Sequence, residues 1–407
     1  MKAVVYYGVG DIRLEDVPEP RIKEPTDAIV RLTASAICGT DIHMVRGTLA
    51  DMKPGTILGH EGVGVVEELG SMVRNFKEGD RVVIASTIAC GVCTYCRGGY
   101  YAQCDQANPG GNRAGTAFFG GPGPTGPFHG LQAERARIPF AHVGMVKLPP
   151  EISDDQAILL SDIFPTGWFG AENAEIKDGD TVAVFGCGPV GQFAIASAML
   201  MGAGRVLAVD CYPDRLAMAQ RQGAEIINFE EEDPVETIIK LTGGIGVDRA
   251  IDAVGIDAMH AHHGPAARDA RKLADDFRRE IQEVAPNQRP KNGNWHPGDG
   301  PSQALRWCTE ALAKAGTLSI IGVYPPNATS FPIGAAMNKN LTLKMGNCNH
   351  RKYIPHLIEL VRADMIDPLA VLTQIEPMDN AIEAYEAFDR RDAGWVKVEL
   401  SPGLPPH

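Results

Sequence analysis

The sequence predicts an α/β protein with a β-rich, barrel-like domain and a second domain built on a doubly wound parallel sheet. Three observations carry this. The chain has 407 residues, whereas one hydrophobic core rarely grows past about 250–300 residues. The first 150 or so residues are rich in Val, Ile, Gly and Pro and show little helical periodicity. From Ser153 onward, short apolar strands alternate with apolar helices, the pattern of a parallel sheet covered on both faces.

In the first part, residues 28–33, 62–69 and 81–85 read as strands bounded by turns. Residues 108–130 are heavy in Gly and Pro and read as an irregular loop. Residues 153–175 read as helices, with Ser153 as N-cap ahead of an acidic first turn. Strands follow at 181–185, 205–209, 249–253 and 317–321, with helices at 189–201 and 213–222. Residues 256–303 read as an insertion, a charged helix and then a loop full of Gly, Pro and Asn. Helices around 353–363 and 380–390 and a strand at 396–400 close the chain. The expected domains are 1–160, with a separate lobe near 88–108, then 161–330, with 331–407 returning to the first domain.

The composition, 44% hydrophobic and 22% charged, is that of an ordinary globular protein. A formal net charge of -13 gives no general attraction for nucleic acid or anionic lipid, so neither is an expected partner. No stretch approaches the ~20 apolar residues of a membrane helix. The start, MKAVVYYGVG, is strand-like rather than a leader, and a cytoplasmic location is expected. Nine cysteines are too few for a disulfide scaffold in so long a chain, and their clustering points to metal.

Gly186-Cys187-Gly188-Pro189-Val190-Gly191 matches G-x-G-x-x-G between a strand and an apolar helix. Gly186 permits the tight turn, Gly188 lets the backbone approach a pyrophosphate, and Gly191 lets helix and strand pack closely. The helix N-terminus would bind the phosphates. Asp210 ends the second strand about 20 residues on, where a carboxylate takes ribose hydroxyls and repels a 2′-phosphate. NAD is therefore expected rather than NADP, although Arg215 would soften that repulsion. A glycine turn that binds nothing is the alternative. Val254 and Gly322 lie at further strand ends and are cofactor contacts by position.

Cys90, Cys93, Cys96 and Cys104 follow the spacing C-x2-C-x2-C-x7-C. Four thiolates so close can enclose one tetrahedral zinc, and a closed site of this kind is structural. Free or disulfide-bonded cysteines are the alternative. Cys38-Gly39-Thr40-Asp41-Ile42-His43 and Gly59-His60-Glu61 offer Cys38 and His60 as ligands of a second zinc. A catalytic zinc needs a third protein ligand and an open position.

The order Cys38, Gly-His-Glu, four-cysteine knuckle and G-x-G-x-x-G resembles that of the zinc-dependent medium-chain alcohol dehydrogenases, over nearly the whole chain. The resemblance implies a GroES-like catalytic domain and a Rossmann domain. It places the third ligand just before the cofactor domain, where this chain has Asp162. It also makes Glu61 a supporting or alternative ligand. Asp162 with Pro165-Thr166-Gly167, residues 43–47 and the insertion are similar to the glutathione-independent formaldehyde dehydrogenase branch.

The implied cofactors are one catalytic zinc, one structural zinc and NAD, and the substrate is a small alcohol or aldehyde. The implied reaction passes the substrate proton through Thr40 and the nicotinamide ribose to His43, with Thr166 beside the nicotinamide. Three readings follow: a dehydrogenase, a dismutase that retains NAD tightly, and a zinc- and NAD-binding protein without turnover. A homotetramer or homodimer is expected from relatives. Trp295, in the insertion, is open between a cleft or cofactor cover and a surface loop.

Overall fold

The computed structural model describes residues 1–108, 110–111, 115–126 and 128–403. Parts of the expected 108–130 loop, namely 109, 112–114 and 127, lie outside the described residues. The chain forms two compact units. The first comprises Met1–Pro165, Asn287–His296 and Asn347–His407, and the second Thr166–Pro286 and Pro297–Gly346.

The first unit is built on a seven-stranded sheet. Its order is Gln374–Pro377, Val398–Ser401, Ala28–Ile37, Gly62–Leu69, Arg81–Ile84 and Met145–Lys147, with Arg135–Ile138 also paired to Ala28–Ile37. The first two strands run parallel and the other pairs antiparallel. A three-stranded sheet sets Lys2–Gly8 between Asp11–Asp16 and Thr56–Ile57. Pairing of Ala28–Ile37 with Gly62–Leu69 slips at Ile29/Val30 and at Leu32/Ala34. Such irregularities bend a strand, and this one delivers the chain directly to Cys38 and the helix Gly39–Arg46.

The second unit carries a six-stranded parallel sheet. Its order is Glu225–Asn228, Arg205–Asp210, Thr181–Phe185, Val247–Asp252, Leu312–Ile320 and Thr342–Met345. In chain order that is 3-2-1-4-5-6, so the winding reverses between Thr181–Phe185 and Val247–Asp252. Ligands bind at such a switch point, beyond the carboxyl ends of the strands. The central strands are continuous apolar runs because both faces are covered: Val182, Ala183, Val184 and Phe185 are all buried.

Three differences from the sequence reading have physical causes. The sheet takes a sixth strand, Thr342–Met345, past the expected break at residue 330. As an edge strand it is largely exposed, so it carries no apolar run to announce it. Asp162 lies in the first unit, because that unit runs on to Pro165.

The insertion also serves both units. Ala267–Lys272 and Ala274–Val284 are helices of the second, whereas Asn287–His296 belongs to the first. Trp295 is neither a cofactor cover nor part of a surface loop. It is 4% exposed and packs in a core cluster with Tyr6, Ile42, Val45, Tyr385 and Phe388. Asp389 anchors the segment, accepting from the Trp295 N–H at 2.7 Å and from Arg46 Nε at 2.7 Å. No helix among the described residues is long and apolar enough to cross a membrane.

Candidate functional site

Four buried residues of the first unit converge: Cys38, His60, Glu61 and Asp162 each offer one ligand atom, all within 4.8 Å of one another. Cys38 is the N-cap of the helix Gly39–Arg46. His60 and Glu61 immediately precede the strand Gly62–Leu69. Asp162 occupies the break between the helices Asp154–Ser161 and Ile163–Asn173. Its neighbour Ser161 ties that break to the sheet: the hydroxyl donates to Ile84 O at 2.5 Å and accepts from Gly62 N at 3.1 Å. One side chain thus sets Asp162 beside the Gly59-His60-Glu61 turn.

The Cys38–Asp162 distance suits two ligands of one small cation, and the His60–Asp162 contact is at hydrogen-bond distance. Cys38 Sγ is 3.8 Å from Asp162 Oδ2, and His60 Nε2 is 2.9 Å from the same oxygen. Ligands of a tetrahedral zinc at about 2.0–2.3 Å stand roughly 3.3–3.8 Å apart. His60 Nε2 is buried with the Asp162 carboxylate at hydrogen-bond distance.

Each group is held from behind, as ligating residues require. Asp41 Oδ1 is 3.1 Å from His60 Nδ1, and Asp41 Oδ2 accepts from the Cys38 N–H at 2.9 Å. Asp41 therefore fixes two of the converging residues. Gln132 braces Asp41 at 3.4 Å and accepts from the buried Tyr385 hydroxyl at 2.8 Å. His350 Nε2 lies 2.5 Å from Asp162 Oδ1, and its Nδ1 is 3.2 Å from Thr87 Oγ1. Lys397 Nζ meets both Glu61 oxygens, at 2.8 and 2.6 Å, and both side chains are fully buried.

The electrostatics agree with an anionic nest. Burial alone would raise the Asp162 carboxyl, but His350 and His60 overcome it and hold the group well below the usual carboxylate range. Burial would lower His60, yet the charge of Asp41 and the other anionic neighbours raise it well above an ordinary imidazole. The Cys38 thiol is pushed up by burial despite His60. Burial lifts Glu61 to about 7 against the pull of Lys397. The cluster therefore favours positive charge at its centre, which a divalent cation supplies.

The sequence reading named Cys38, His60, Glu61 and Asp162 but gave no role to Asp41, His350, Thr87 or Lys397. Asp41 had a visible signal, since it lies inside the Cys38–His43 motif. His350 and Thr87 are far from it in sequence, and only the fold brings them in.

The four cysteines form a second cluster in the same unit, again within 4.8 Å. Cys90 Sγ and Cys96 Sγ are 4.0 Å apart, near the roughly 3.8 Å of two sulfurs sharing a zinc. Backbone N–H groups point at the sulfurs: Cys104 accepts from Cys90 N at 3.2 Å and from Ala107 N at 3.4 Å, and Cys90 accepts from Cys93 N at 3.3 Å. Burial tends to raise the Cys93 thiol, but N–H donors from Cys96 and Asp105 bring it down to about 7. This is a closed four-cysteine zinc site.

In the second unit, the glycine loop has the expected construction. Gly186 sits at φ +89°, and a side chain there would strike Val254 Cγ2 at 2.4 Å; a Cβ on Gly191 would meet Gly186 O at 1.8 Å. Gly188 is the N-cap of the helix Pro189–Leu200, with Pro189 at its first position and no side-chain cap. Val190 lies in that helix's first turn, so the N-terminal N–H groups there have no side-chain acceptor. Asp210 is buried and oriented by backbone donors, accepting from Cys187 N at 2.6 Å, Cys211 N at 2.7 Å and Tyr212 N at 3.1 Å. Arg215 lies over the Tyr212 ring, 4.9 Å from its centre, and a Cβ added at Gly188 would sit 3.8 Å from its Nη1. Gly322 approaches Gly255 so closely that a Cβ would sit 2.1 Å from its N.

Thr40 and His43 lie one turn apart on the helix Gly39–Arg46. Thr40 is half-buried. His43 is 4% exposed, not a surface histidine. The Thr48 hydroxyl donates to His43 O at 3.1 Å and lies 2.9 Å from His43 Nδ1. Thr166 is half-buried in the helix Ile163–Asn173.

Residues 24–150 match the alcohol dehydrogenase GroES-like domain family, and residues 189–263 match the zinc-binding dehydrogenase family. Over 405 residues the chain is 37% identical to an uncharacterized zinc-type alcohol dehydrogenase-like protein of Bacillus subtilis, covering 99% of this chain and 100% of that protein. It is 34% identical over 402 residues to a glutathione-independent formaldehyde dehydrogenase of Pseudomonas aeruginosa, covering 95% and 94%. Among solved structures, an alcohol dehydrogenase from Thermus sp. ATN1 superposes with a TM-score of 0.78 at 32% identity, covering 98% of this chain and 99% of that one.

Proposed function

Since this chain belongs to the zinc-type medium-chain alcohol dehydrogenase family, we propose that it is an NAD-linked dehydrogenase of a small alcohol or aldehyde, with Cys38, His60 and Asp162 as its catalytic metal ligands. The observation that carries this reading is the convergence of those three residues within 4.8 Å, each steadied from behind. A zinc ion held there supplies Lewis acidity, and NAD held along Gly186–Gly191 supplies the hydride acceptor.

The chain's own residues do the rest. Asp41 orients Cys38 and His60, and His350 orients Asp162. The Lys397 ammonium holds Glu61 back, so that Glu61 serves as a supporting carboxylate or an exchangeable fourth ligand. Thr40 hands on the substrate's hydroxyl proton, and His43 is the base that receives it. Asp210 takes the adenosine ribose hydroxyls with the lone pairs its backbone donors leave over, which favours NAD over NADP. Val254, Gly322 and Thr166 are proposed cofactor contacts. A formaldehyde-type substrate is supported by Asp at position 162 and by similarity to the Pseudomonas aeruginosa enzyme.

The test is NADH formation by zinc-replete protein across small alcohols and hydrated aldehydes, formaldehyde included. Turnover of one group with NAD, and little with NADP, is expected. Formaldehyde converted to formate and methanol without NADH would replace this reading with dismutation. No reaction of either kind would favour a binding protein.

A further inference from the structure

A third group of ligating side chains lies in the second unit, apart from both cysteine-containing clusters. His260, His262 and Asp299 offer ligand atoms within 4.8 Å of one another. His260 and His262 follow the strand Val247–Asp252, near the start of the insertion, and Asp299 stands near its end.

The hydrogen bonds around these residues fix where the lone pairs point. His260 Nδ1 is 3.0 Å from Ala261 O. A carbonyl only accepts, so Nδ1 carries the proton and Nε2 is bare. That Nε2 lies 3.6 Å from Asp299 Oδ2. His262 Nδ1 is 3.3 Å from Glu230 Oε1, and its Nε2 is 2.8 Å from the same Asp299 Oδ2. A neutral imidazole has one N–H. His262 thus stands between two carboxylates, and a metal ion at Nε2 would take the place of the proton it shares with Asp299.

Two ring nitrogens, that of His260 bare, and one carboxylate oxygen thus come together within 4.8 Å. Behind them are a carbonyl and a carboxylate, the partners that ligating histidines usually take. Ring contacts hold the set still: His260 stacks on Phe277 at 5.7 Å with 9° between planes, and the two histidines are 4.6 Å apart. The backbone does the same for Asp299. Its Oδ1 accepts from His260 N at 3.0 Å, and Gly300 N donates to Ala258 O at 3.0 Å. The side chains are 25%, 41% and 36% exposed for His260, His262 and Asp299, so an ion can reach them.

We propose that His260, His262 and Asp299 bind a divalent transition-metal ion of the zinc type, and that this ion clips together the two ends of the insertion. Two imidazoles and a carboxylate are borderline ligands suited to zinc, nickel or cobalt rather than to magnesium or calcium. Three protein ligands on a solvent-facing surface leave the remaining positions to water. The clip closes the segment that carries Ala267–Lys272, Ala274–Val284 and the buried Trp295.

The test starts from protein whose zinc content is two per chain and titrates it with Zn²⁺ calorimetrically. A third equivalent is expected, binding in the micromolar range. His260→Ala and His262→Ala should each weaken it by at least roughly tenfold and leave the first two equivalents intact. Co²⁺ in the third site should show weak visible bands without the intense near-ultraviolet absorption of thiolate ligation. Bound metal should also slow proteolysis within residues 264–297. Loss of the first two equivalents in a variant would mark misfolding, and Asp299→Asn then carries the test.

No third equivalent up to about 1 mM Zn²⁺, or equal uptake by the His260→Ala/His262→Ala double variant, would overturn the site and leave a hydrogen-bonded histidine cluster. Uptake with unchanged proteolysis would overturn the clip.

Discussion

Cys90, Cys93, Cys96 and Cys104 all lie in one short loop, whereas Cys38, His60 and Asp162 are gathered from three separate segments. In the first cluster, the loop's own N–H groups stabilise the sulfurs. In the second, three of the four candidate ligands lean on side chains elsewhere in the chain: His60 on Asp41, Asp162 on His350 and Glu61 on Lys397. A closed cluster of four thiols has only to hold an ion. An open one must hold its ligands at fixed positions while a coordination place stays available, and a buried second layer of hydrogen bonds gives that rigidity.

The contrast is broken most directly at Asp162. Asp162→Ala should release one zinc, keep the other, and cut turnover by a factor on the order of 10²–10³, the equivalent of several kcal/mol. Metal analysis beside steady-state kinetics checks this, and full metal retention with normal activity would remove Asp162 from the ligand set.

Cys96→Ser is the mirror experiment. It should release the other zinc and lower the melting midpoint by roughly 5 °C or more, because the loop around 88–108 loses its cross-link. Unchanged zinc content and melting would show that the thiols hold no structural ion.

His350→Asn probes the second layer alone. Zinc affinity at the Cys38 cluster should fall roughly 10–100-fold, with no change at the cysteine loop. Equal weakening at both sites would mean a general loss of folding rather than a positioning role. His43→Ala should slow turnover about 10–100-fold at pH 7 and much less at pH 10, where hydroxide takes over the proton. A loss independent of pH would contradict the proton route.

The smallest effect concerns Glu399, one strand position beyond the Lys397 neighbourhood. Burial, with Asp155 and Asp154 nearby, lifts its carboxyl to about 8 despite Lys397, and its Oε2 has no hydrogen-bond partner. A carboxyl whose folded pKa lies above its unfolded value binds a proton on folding. Its contribution is full below about pH 4.5 and is lost as the pH rises to about 8. Glu399→Gln should therefore leave melting at pH 5 nearly unchanged and raise it by a few degrees at pH 8.5. Parallel melting curves of variant and parent across that range would refute the assignment.

The strand that carries Glu399 also shows why part of the site escaped the sequence reading. Val396-Lys397-Val398-Glu399-Leu400 alternates as a half-exposed strand should, yet all five residues are buried. Lys397 was invisible as a buried partner because Glu61 and the Ile37 carbonyl, both far along the chain, make its burial tolerable. Trp295 was misread for a related reason: a Gly-, Pro- and Asn-rich stretch looks like a surface loop until Asp389 and the aromatic cluster around Tyr385 are seen to hold it.

What the sequence determined by itself is whatever local spacing encodes. The four-cysteine loop, the Gly186–Gly191 turn followed by Asp210, and the alternation of buried strands with helices each depend on residues near one another in the chain. There, turn geometry and side-chain period leave few alternatives. What only the tertiary structure decided is which distant groups meet: His350 behind Asp162, Lys397 against Glu61, and Asp299 facing His260 and His262. Those contacts join residues separated by tens to hundreds of positions, and the energy of burying charged and ligating groups favours such partners without leaving a local signature.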